Sequence, residues 1–339
     1  MENSVDILLT TYNTNIQYLK IQIDSILNQT FKDFSLIISD DCSPNEEVRE
    51  VLKEYAQKDS RVKLFFQKDN LGYTKNFEFV LSKSTADYIA FSDHDDVWYP
   101  NKIEESLKIL KEKNVDLVYC DANQIDENGN ILHESYLRYK DMPIIKEKYN
   151  NKKQKNEVLL AFSRHIAIGC SQLFTKAVKE MMLPFSGNTM AHDWNSVYIA
   201  TRLNGVFCVD KPLFGYRLHG SNAFGGRSFK QNMNIWKEKN GNNYNSYLQY
   251  RKHVITETYM AGALMCEEYS KRIASNVEIE KQQKKILDYY RNAQDSKIIY
   301  WDFYRYFKYL YFKGIGRKSI KELMIFHFPI LSYLVYKIS

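Results

Sequence analysis

Within the first hundred residues, four short apolar runs each end abruptly in polar side chains, and an amphipathic stretch separates each run from the next. The runs are Val5-Asp6-Ile7-Leu8-Leu9, Phe34-Ser35-Leu36-Ile37-Ile38-Ser39, Val62-Lys63-Leu64-Phe65-Phe66 and Tyr88-Ile89-Ala90-Phe91. Near-continuous apolar strands are the pattern of parallel strands buried on both faces. Strands alternating with helices predict a doubly wound α/β sheet. A first helix is predicted with Thr14 as N-cap and Gln17 at the capping-box spacing, and Ile16, Leu19, Ile23, Ile26 and Leu27 share one face of it. Ser43-Pro44-Asn45-Glu46 predicts a second helix, with Ser43 as cap and Pro44 at the first helical position. A third starts near Thr74 and carries Phe77, Val80 and Leu81; a fourth covers 102–113.

In open α/β sheets ligands bind at the carboxyl ends of the strands. Here those ends carry Thr11 and Tyr12, then Asp40 and Asp41, then Asn70, then Asp93 to Asp96. The last group is the densest, since Phe91-Ser92-Asp93-His94-Asp95-Asp96-Val97-Trp98 holds three carboxylates in four positions. Crowded carboxylates cost free energy unless a cation neutralises them. On an extended segment Asp93 and Asp95 leave on the same face, and oxygen ligands suit Mg2+ or Mn2+. A solvated acidic turn is the plain alternative. The chain has no G-x-G-x-x-G and no G-x-x-x-x-G-K-[ST], so dinucleotide and P-loop readings find no support.

Further on, 116–121 reads as another strand and 126–130 as a turn, while 138–157 is a polar, lysine-rich loop. Gly169 sits in a small, apolar stretch and permits close backbone approach. Met190-Ala191-His192-Asp193-Trp194 opens a helix over 195–203, and 206–210 is a last strand. Tyr216-Arg217-Leu218-His219-Gly220-Ser221-Asn222 follows, and from about 228 the pattern is helical.

The chain of 339 residues is long enough for two domains, or for one α/β domain with an extension. Its five cysteines are widely spaced and form no C-x-x-C pair, which points to reduced, cytosolic thiols rather than a zinc or disulfide framework. The start lacks a basic region followed by an apolar one, so no signal peptide is expected. The longest charge-free apolar stretch, Leu323 to Tyr336, has 14 residues, short of the roughly 20 that span a bilayer. Charge is uneven: residues 1–225 hold 27 Lys+Arg against 31 Asp+Glu, and 226–339 hold 20 against 10. A basic final third fits an anionic partner such as a membrane surface. No nucleic-acid module is recognisable, so nucleic acid is not expected as a partner.

Taken in order, Thr10-Thr11-Tyr12-Asn13, Ser25-Ile26-Leu27-Asn28-Gln29-Thr30-Phe31, Ser39-Asp40-Asp41-Cys42-Ser43, Asn70-Leu71-Gly72 and Asp93-His94-Asp95-Asp96 resemble a family 2 glycosyltransferase of the GT-A fold. The resemblance covers roughly 1–225. Phe91 to Trp98, Ala191 to Trp194 and Tyr216 to Asn222 further resemble the bacterial rhamnosyltransferase branch that builds cell-wall and capsular polysaccharides. That branch usually carries Gln where His94 stands, and Cys42 replaces the usual Gly after Asp41. The implied fold is a Rossmann-like, mostly parallel sheet flanked by helices. Residues 1–120 form its nucleotide-sugar half, 121–227 its acceptor and catalytic half, and 228–339 a basic, aromatic-rich helical extension.

The resemblance also implies roles. Thr11 and Tyr12 hold and stack on the pyrimidine, Asp41 accepts its ring N–H, and Asn70 belongs to the same donor site. Asp93 and Asp95 carry Mg2+ or Mn2+ to the donor pyrophosphate, with His219 completing the metal site and His94 beside it. Lys75 and Arg217 contact phosphate. Asp193 is the base that takes the acceptor hydroxyl proton. The structural alternatives are a packed Tyr12, helix-capping Asp41 and Asp193, a hydrogen-bonded core His219 and solvated Lys75 and Arg217. The implied reaction is inverting transfer of a sugar, L-rhamnose from dTDP-L-rhamnose first and a hexose from a UDP-sugar second, to a lipid-linked cell-surface glycan. A non-catalytic glycan- or nucleotide-binding protein is the alternative of another class, and intact Asp93, Asp95 and Asp193 argue against it. In the last third, Tyr300, Tyr304, Phe307 and Tyr311, then Leu323, Phe326, Ile330 and Leu334, stand at helical spacing among basic residues. That stripe fits a helix lying in the inner face of the cell membrane, with a homodimer contact as the rival.

Overall fold

The computed structural model describes residues 5–140, 142, 144–146, 167–187 and 191–220, and beyond them 229–241, 243, 245–246, 249–250, 261–273 and 284. Two compact units emerge, Met1–Leu218 and His219–Ser339. The aromatic stripe from Tyr300 to Leu334 and most of the 138–157 loop lie outside the described residues.

The first unit opens with the predicted alternation: β1 (Val5–Thr11), α1 (Ile16–Leu27), β2 (Phe34–Asp40), α2 (Glu46–Lys58), β3 (Val62–Phe66), α3 (Tyr73–Lys83) and β4 (Tyr88–Ser92). Every residue of β1 is buried, as its near-continuous apolar run requires, and the one charge in it, Asp6, accepts from the Ser84 hydroxyl and the Thr85 and Ala86 amides. In α1, Leu19, Ile23 and Ile26 face the sheet, although the cap differs from expectation. Asn15 caps the helix, its Oδ1 accepting from the amides of Gln17 at 2.9 Å and Tyr18 at 3.2 Å. Thr14 is buried and its hydroxyl finds no partner; Asn outranks Thr as a cap. Asn45 likewise caps α2 through the Glu47 amide at 3.0 Å, so Pro44 precedes the helix. Ser43 instead donates to Asp40 Oδ1 at 2.5 Å.

After β4 come β5 (Val97–Trp98), α4 (Lys102–Lys113), β6 (Leu117–Ile125), β7 (Ile131–His133) and α5 (Tyr136–Tyr139). A 3-10 turn at Gly169–Ser171 leads into β8 (Gln172–Thr175), α6 (Lys176–Met182), α7 (His192–Arg202) and β9 (Val206–Arg217). The sheet order is β3-β2-β1-β4-β8-β6-β9-β5, with β7 on β6. β1 pairs in parallel with both β2 and β4, and β2 with β3. β8 runs antiparallel between β4 and β6, and β9 runs parallel to β6. β2 and β4 leave β1 on opposite sides, so the carboxyl ends of β1 and β4 flank the topological switch point. β9 reaches seven residues past the predicted Asp210, far enough to pair Gly215 with Val97 and Phe214 with Trp98. In the second unit, α8 (Phe229–Asn240) and α9 (Ala261–Ser270) are helical, as the pattern from 228 predicts.

Candidate active site

Two groups of strand-end residues meet at the switch point. The first is built around two neighbouring aspartates. Asp40, at the end of β2, is fully buried and receives the Thr11 hydroxyl at 2.8 Å and the Ser43 amide at 3.0 Å. Asp41 donates its amide to the Thr11 carbonyl at 2.9 Å. Its Oδ1 accepts from the Leu71 amide at 2.7 Å and its Oδ2 from the Gly72 amide at 2.9 Å. Asn70 donates to the Asp41 carbonyl at 3.3 Å. Thr11, Asp41 and Asn70 therefore form one cradle, and the Tyr12 ring beside it is 50% exposed, available to a planar ligand. The chain makes this turn through left-handed backbone at Asn13, Cys42 and Gly72 (φ 45°, 62° and 79°). Asp41 caps no helix, since Asn45 holds that post. Lys75 stands apart in the first turn of α3, its ammonium 2.5 Å from Glu78, on the rim of a cleft of about 440 Å³ with Leu71, Phe79 and Pro184.

The second group is the acidic loop. β4 stops at Ser92, and residues 93–96 turn rather than extend. The expectation that Asp93 and Asp95 share a face rested on an extended segment. The turn also brings Asp96 and Cys170 close to Asp93, one ligand atom from each lying within 4.8 Å of the others. Burial, and then the charge of Asp95, pushes the Asp93 carboxyl up to about 7; Asp193 adds to the push. Burial and the charges of Asp95 and Asp93 raise Asp96 well above the ordinary carboxylate range. His94, next to Asp93 and Asp95 in the chain, is half-buried.

Arg217 braces that loop from the end of β9. Its amide donates to Asp96 Oδ1 at 3.1 Å and its Nε to the Asp95 carbonyl at 2.8 Å. One Nη reaches the carbonyls of Asp126 and Glu127, at 3.2 and 2.9 Å, and the guanidinium lies 4.5 Å over the Tyr18 ring. The side chain is 2% exposed, so its charge bears on the loop from within rather than standing solvated. His219 begins the second unit.

Asp193 closes the first unit's site. Helix α7 starts one residue before it, with Ala191 as N-cap, so Asp193 occupies the first turn and caps nothing. Its Oδ2 accepts the Gly169 amide at 3.1 Å, and its carbonyl accepts from Gln172 Nε2 at 3.1 Å and Ser196 Oγ at 3.0 Å. His192 is stacked 3.8 Å from Phe77 and set edge-on 4.6 Å from Phe91. Gly169 packs so tightly that a Cβ there would stand 2.6 Å from His192 Nε2. Chemically, a buried carboxylate whose charge is felt at the acidic loop can take a proton while an anion departs.

Asp40 and Asp96 were read only as strand-end neighbours of Asp41 and Asp93, and Cys170 entered no site in the sequence. Asp40 had a signal in its place beside Asp41 at a strand end. Cys170 had none, since only the antiparallel seat of β8 between β4 and β6 brings it to a loop 74 positions earlier. The acidic loop also fits a divalent cation by its own chemistry: its carboxylates are pushed toward protonation, and the buried Asp96 Oδ2 has no hydrogen-bond donor.

Comparison with known proteins adds a family-level likeness. The profile "Glycosyl transferase family 2" matches residues 6–181. An uncharacterized glycosyltransferase of Methanocaldococcus jannaschii, MJ1057, is 39% identical over 131 residues, which is 38% of this chain and 45% of that protein. The chain thus spans less than half of that relative. Among solved structures, S. aureus TarS 1-349 in complex with UDP-GlcNAc superposes with a TM-score of 0.55 at 13% identity, over 98% of this chain and 89% of that one. The mannosyltransferase PcManGT from Pyrobaculum calidifontis, in complex with GDP-Man and Mn2+, gives a TM-score of 0.50 at 12% identity, over 98% and 86%. These structures share the GT-A fold, the mixed sheet described above.

Proposed function

The chain belongs to glycosyl transferase family 2, and from that premise we propose that it moves a sugar from a nucleotide-activated donor to a saccharide acceptor with inversion at the anomeric carbon. One observation carries the reading: the buried Asp193 is anchored on the Gly169 amide, next in the chain to the Cys170 that meets Asp93 and Asp96, with an aspartate-lined cradle at the neighbouring strand ends. Inversion needs one displacement and one base, and no covalent sugar–enzyme species.

The half-exposed Tyr12 ring stacks on the nucleobase. Asp41 holds the 70–72 loop through two amides and offers its remaining lone pairs to the base N–H. Asp93 and Asp95, with Asp96 behind them, face the diphosphate and hold Mg2+ or Mn2+, the latter being the ion in PcManGT. When bound, that ion supplies positive charge to the leaving diphosphate. Arg217 keeps the loop in shape and adds its own positive charge nearby. Asp193 takes the proton of the acceptor hydroxyl as that oxygen attacks; the Gly169 amide fixes the carboxylate's orientation. His94 serves as a further contact to the donor.

L-Rhamnose from dTDP-L-rhamnose is the donor we place first, on the motifs around Asp93, Asp193 and Arg217. A UDP-sugar is second, on the UDP-GlcNAc seen in TarS. The acceptor we place on a lipid-linked glycan, with the basic final third of the chain resting on an anionic membrane surface. No described helix is long and apolar enough to cross a membrane. The test is a panel of nucleotide sugars incubated with the protein and Mn2+, followed by quantification of released nucleoside diphosphate. Release from one or a few donors is expected, and an inert panel counts against the function.

A further inference from the structure

Neither the donor cradle nor the acidic loop uses the aromatic side chains of β7 and α5, yet these run outward from the candidate active site. The inner end is Tyr136, which is buried, its ring tilted 4.9 Å from that of Tyr216. Burial pushes the Tyr136 phenol up, and the charges of Cys170, Asp96 and Asp193 add to the push, so this end stands beside the base and the carboxylates. Tyr139 comes three positions later and hence on the same face of the helix. Its ring is 52% exposed and stacks on the exposed His133 of β7 at 3.8 Å, 15° from parallel. The Lys140 ammonium lies 6.0 Å from the centre of the Tyr136 ring and 5.3 Å from that of Tyr139.

A lone exposed tyrosine is ordinary, but this pair is held in place from below. Asp121 is buried and accepts from the Ser135 hydroxyl and, at 2.9 Å, from the Leu137 amide, which pins the start of α5. Ser135 in turn accepts the Arg138 amide at 3.1 Å, and Arg138 bridges Asp121 and Asp210. His133 is fixed through its pairing with Gln124 of β6. Rings ordered in advance bind a ligand at little cost in conformational entropy.

We propose that Tyr139 and His133 form a platform for a pyranose ring of the saccharide acceptor, outward from the hydroxyl that Asp193 deprotonates. The inference rests on the transfer reading and deepens it, since it says which side chains grip the acceptor. Aromatic faces carry negative charge density, which suits the C–H hydrogens on one face of a pyranose. The Lys140 ammonium is an N–H donor within reach of the sugar hydroxyls around that ring. Continuity decides the occupant: an acceptor must reach Asp193, and the aromatic row starts there and ends at the surface.

Saturation-transfer NMR of the full chain tests this, with a panel of di- and trisaccharides containing rhamnose, glucose, galactose or N-acetylglucosamine and no nucleotide donor. The expected result is saturation of ring C–H protons in one or a few saccharides, with an affinity that falls about fivefold or more in Tyr139→Ala. Tyr139 is exposed, so the variant should melt at the parent's temperature. Leu132→Ala is the control: successive residues of a strand point to opposite faces, so Leu132 lies across β7 from His133, and its loss should leave binding unchanged. No saturation with the unaltered chain, or equal affinity in Tyr139→Ala, overturns the platform. So does sedimentation showing a dimer that Tyr139→Ala dissociates, since a second copy would then be the occupant. The NMR readout needs no turnover. Saccharide binding through Tyr139 in a chain that releases no nucleoside diphosphate keeps the site and counts against transfer, whereas transfer with an acceptor KM unmoved by Tyr139→Ala does the reverse.

Discussion

Arg217 grips the acidic loop at two successive residues, its Nε donating to the Asp95 carbonyl at 2.8 Å and its backbone amide to the Asp96 carboxylate at 3.1 Å. The two partners lie some 120 positions apart in the chain. β9 and β5 bring them together through the Gly215–Val97 and Phe214–Trp98 pairs.

Arg217→Lys keeps the charge but loses the planar fork that serves three carbonyls at once. The expected cost is about 2–4 kcal/mol of stability, read from urea denaturation, because buried carbonyls lose their donors. Donor turnover falls with it. A variant as stable and as active as the parent removes the bracing role.

Asp193→Asn preserves shape and removes the proton acceptor. Transfer is expected to slow by about 10²–10⁴-fold, the usual worth of a positioned general base. The donor KM stays within a few-fold, since Asp193 does not touch the nucleotide in this account. Steady-state kinetics with a saturating acceptor decide the matter.

Gly169→Ala places a methyl 2.6 Å from His192 Nε2. The imidazole is held between Phe77 and Phe91 and has little room to yield. Overpacking of this kind costs about 1–3 kcal/mol. Turnover should fall more than tenfold as the Gly169–Asp193 hydrogen bond shifts, and a thermal melt measured beside the rate separates the two effects.

The acidic loop also fixes the sign of a pH dependence. The Asp93 carboxyl is raised to about 7 in the folded, metal-free protein, against about 3.9 when unfolded. Between those values the folded state binds more protons, so stability rises as pH falls from 7 toward 4. Urea midpoints in EDTA should therefore shift upward from pH 7.5 to 5.5 relative to Asp93→Asn, which lacks the titration. Divalent-ion affinity should move the opposite way, because protons and the ion compete for the same oxygens.

Much of this arrangement is readable in the chain. Val5–Leu9 and its three successors announce parallel strands by their near-continuous apolar character, and their polar ends fall at the carboxyl edge of the sheet. Local chemistry was less decisive at helix starts, where Thr14 and Asn15, or Ser43 and Asn45, are adjacent competent caps and only packing selects between them. β5 is two residues long and β8 four, too short for any periodicity to register. The bracing by Arg217 and the approach of Cys170 depend on strand pairings between distant segments, so composition and spacing carry no trace of them. Asp93 and Asp95 were read as partners on extended backbone; residues 93–96 turn instead, which brings Asp96 and Cys170 to Asp93 while Asp95 still acts on it.

The central claim is sugar transfer from a nucleotide donor by a base at Asp193 and carboxylates at Asp93 to Asp96. Its most direct measurement is nucleoside diphosphate release from a panel of dTDP-, UDP- and GDP-sugars with Mn2+, run in parallel on the parent chain, Asp93→Asn and Asp193→Asn. The account predicts release by the parent, dTDP-L-rhamnose foremost, sharply reduced in both variants and abolished by EDTA. Equal release by all three proteins, or none from any donor, would contradict it.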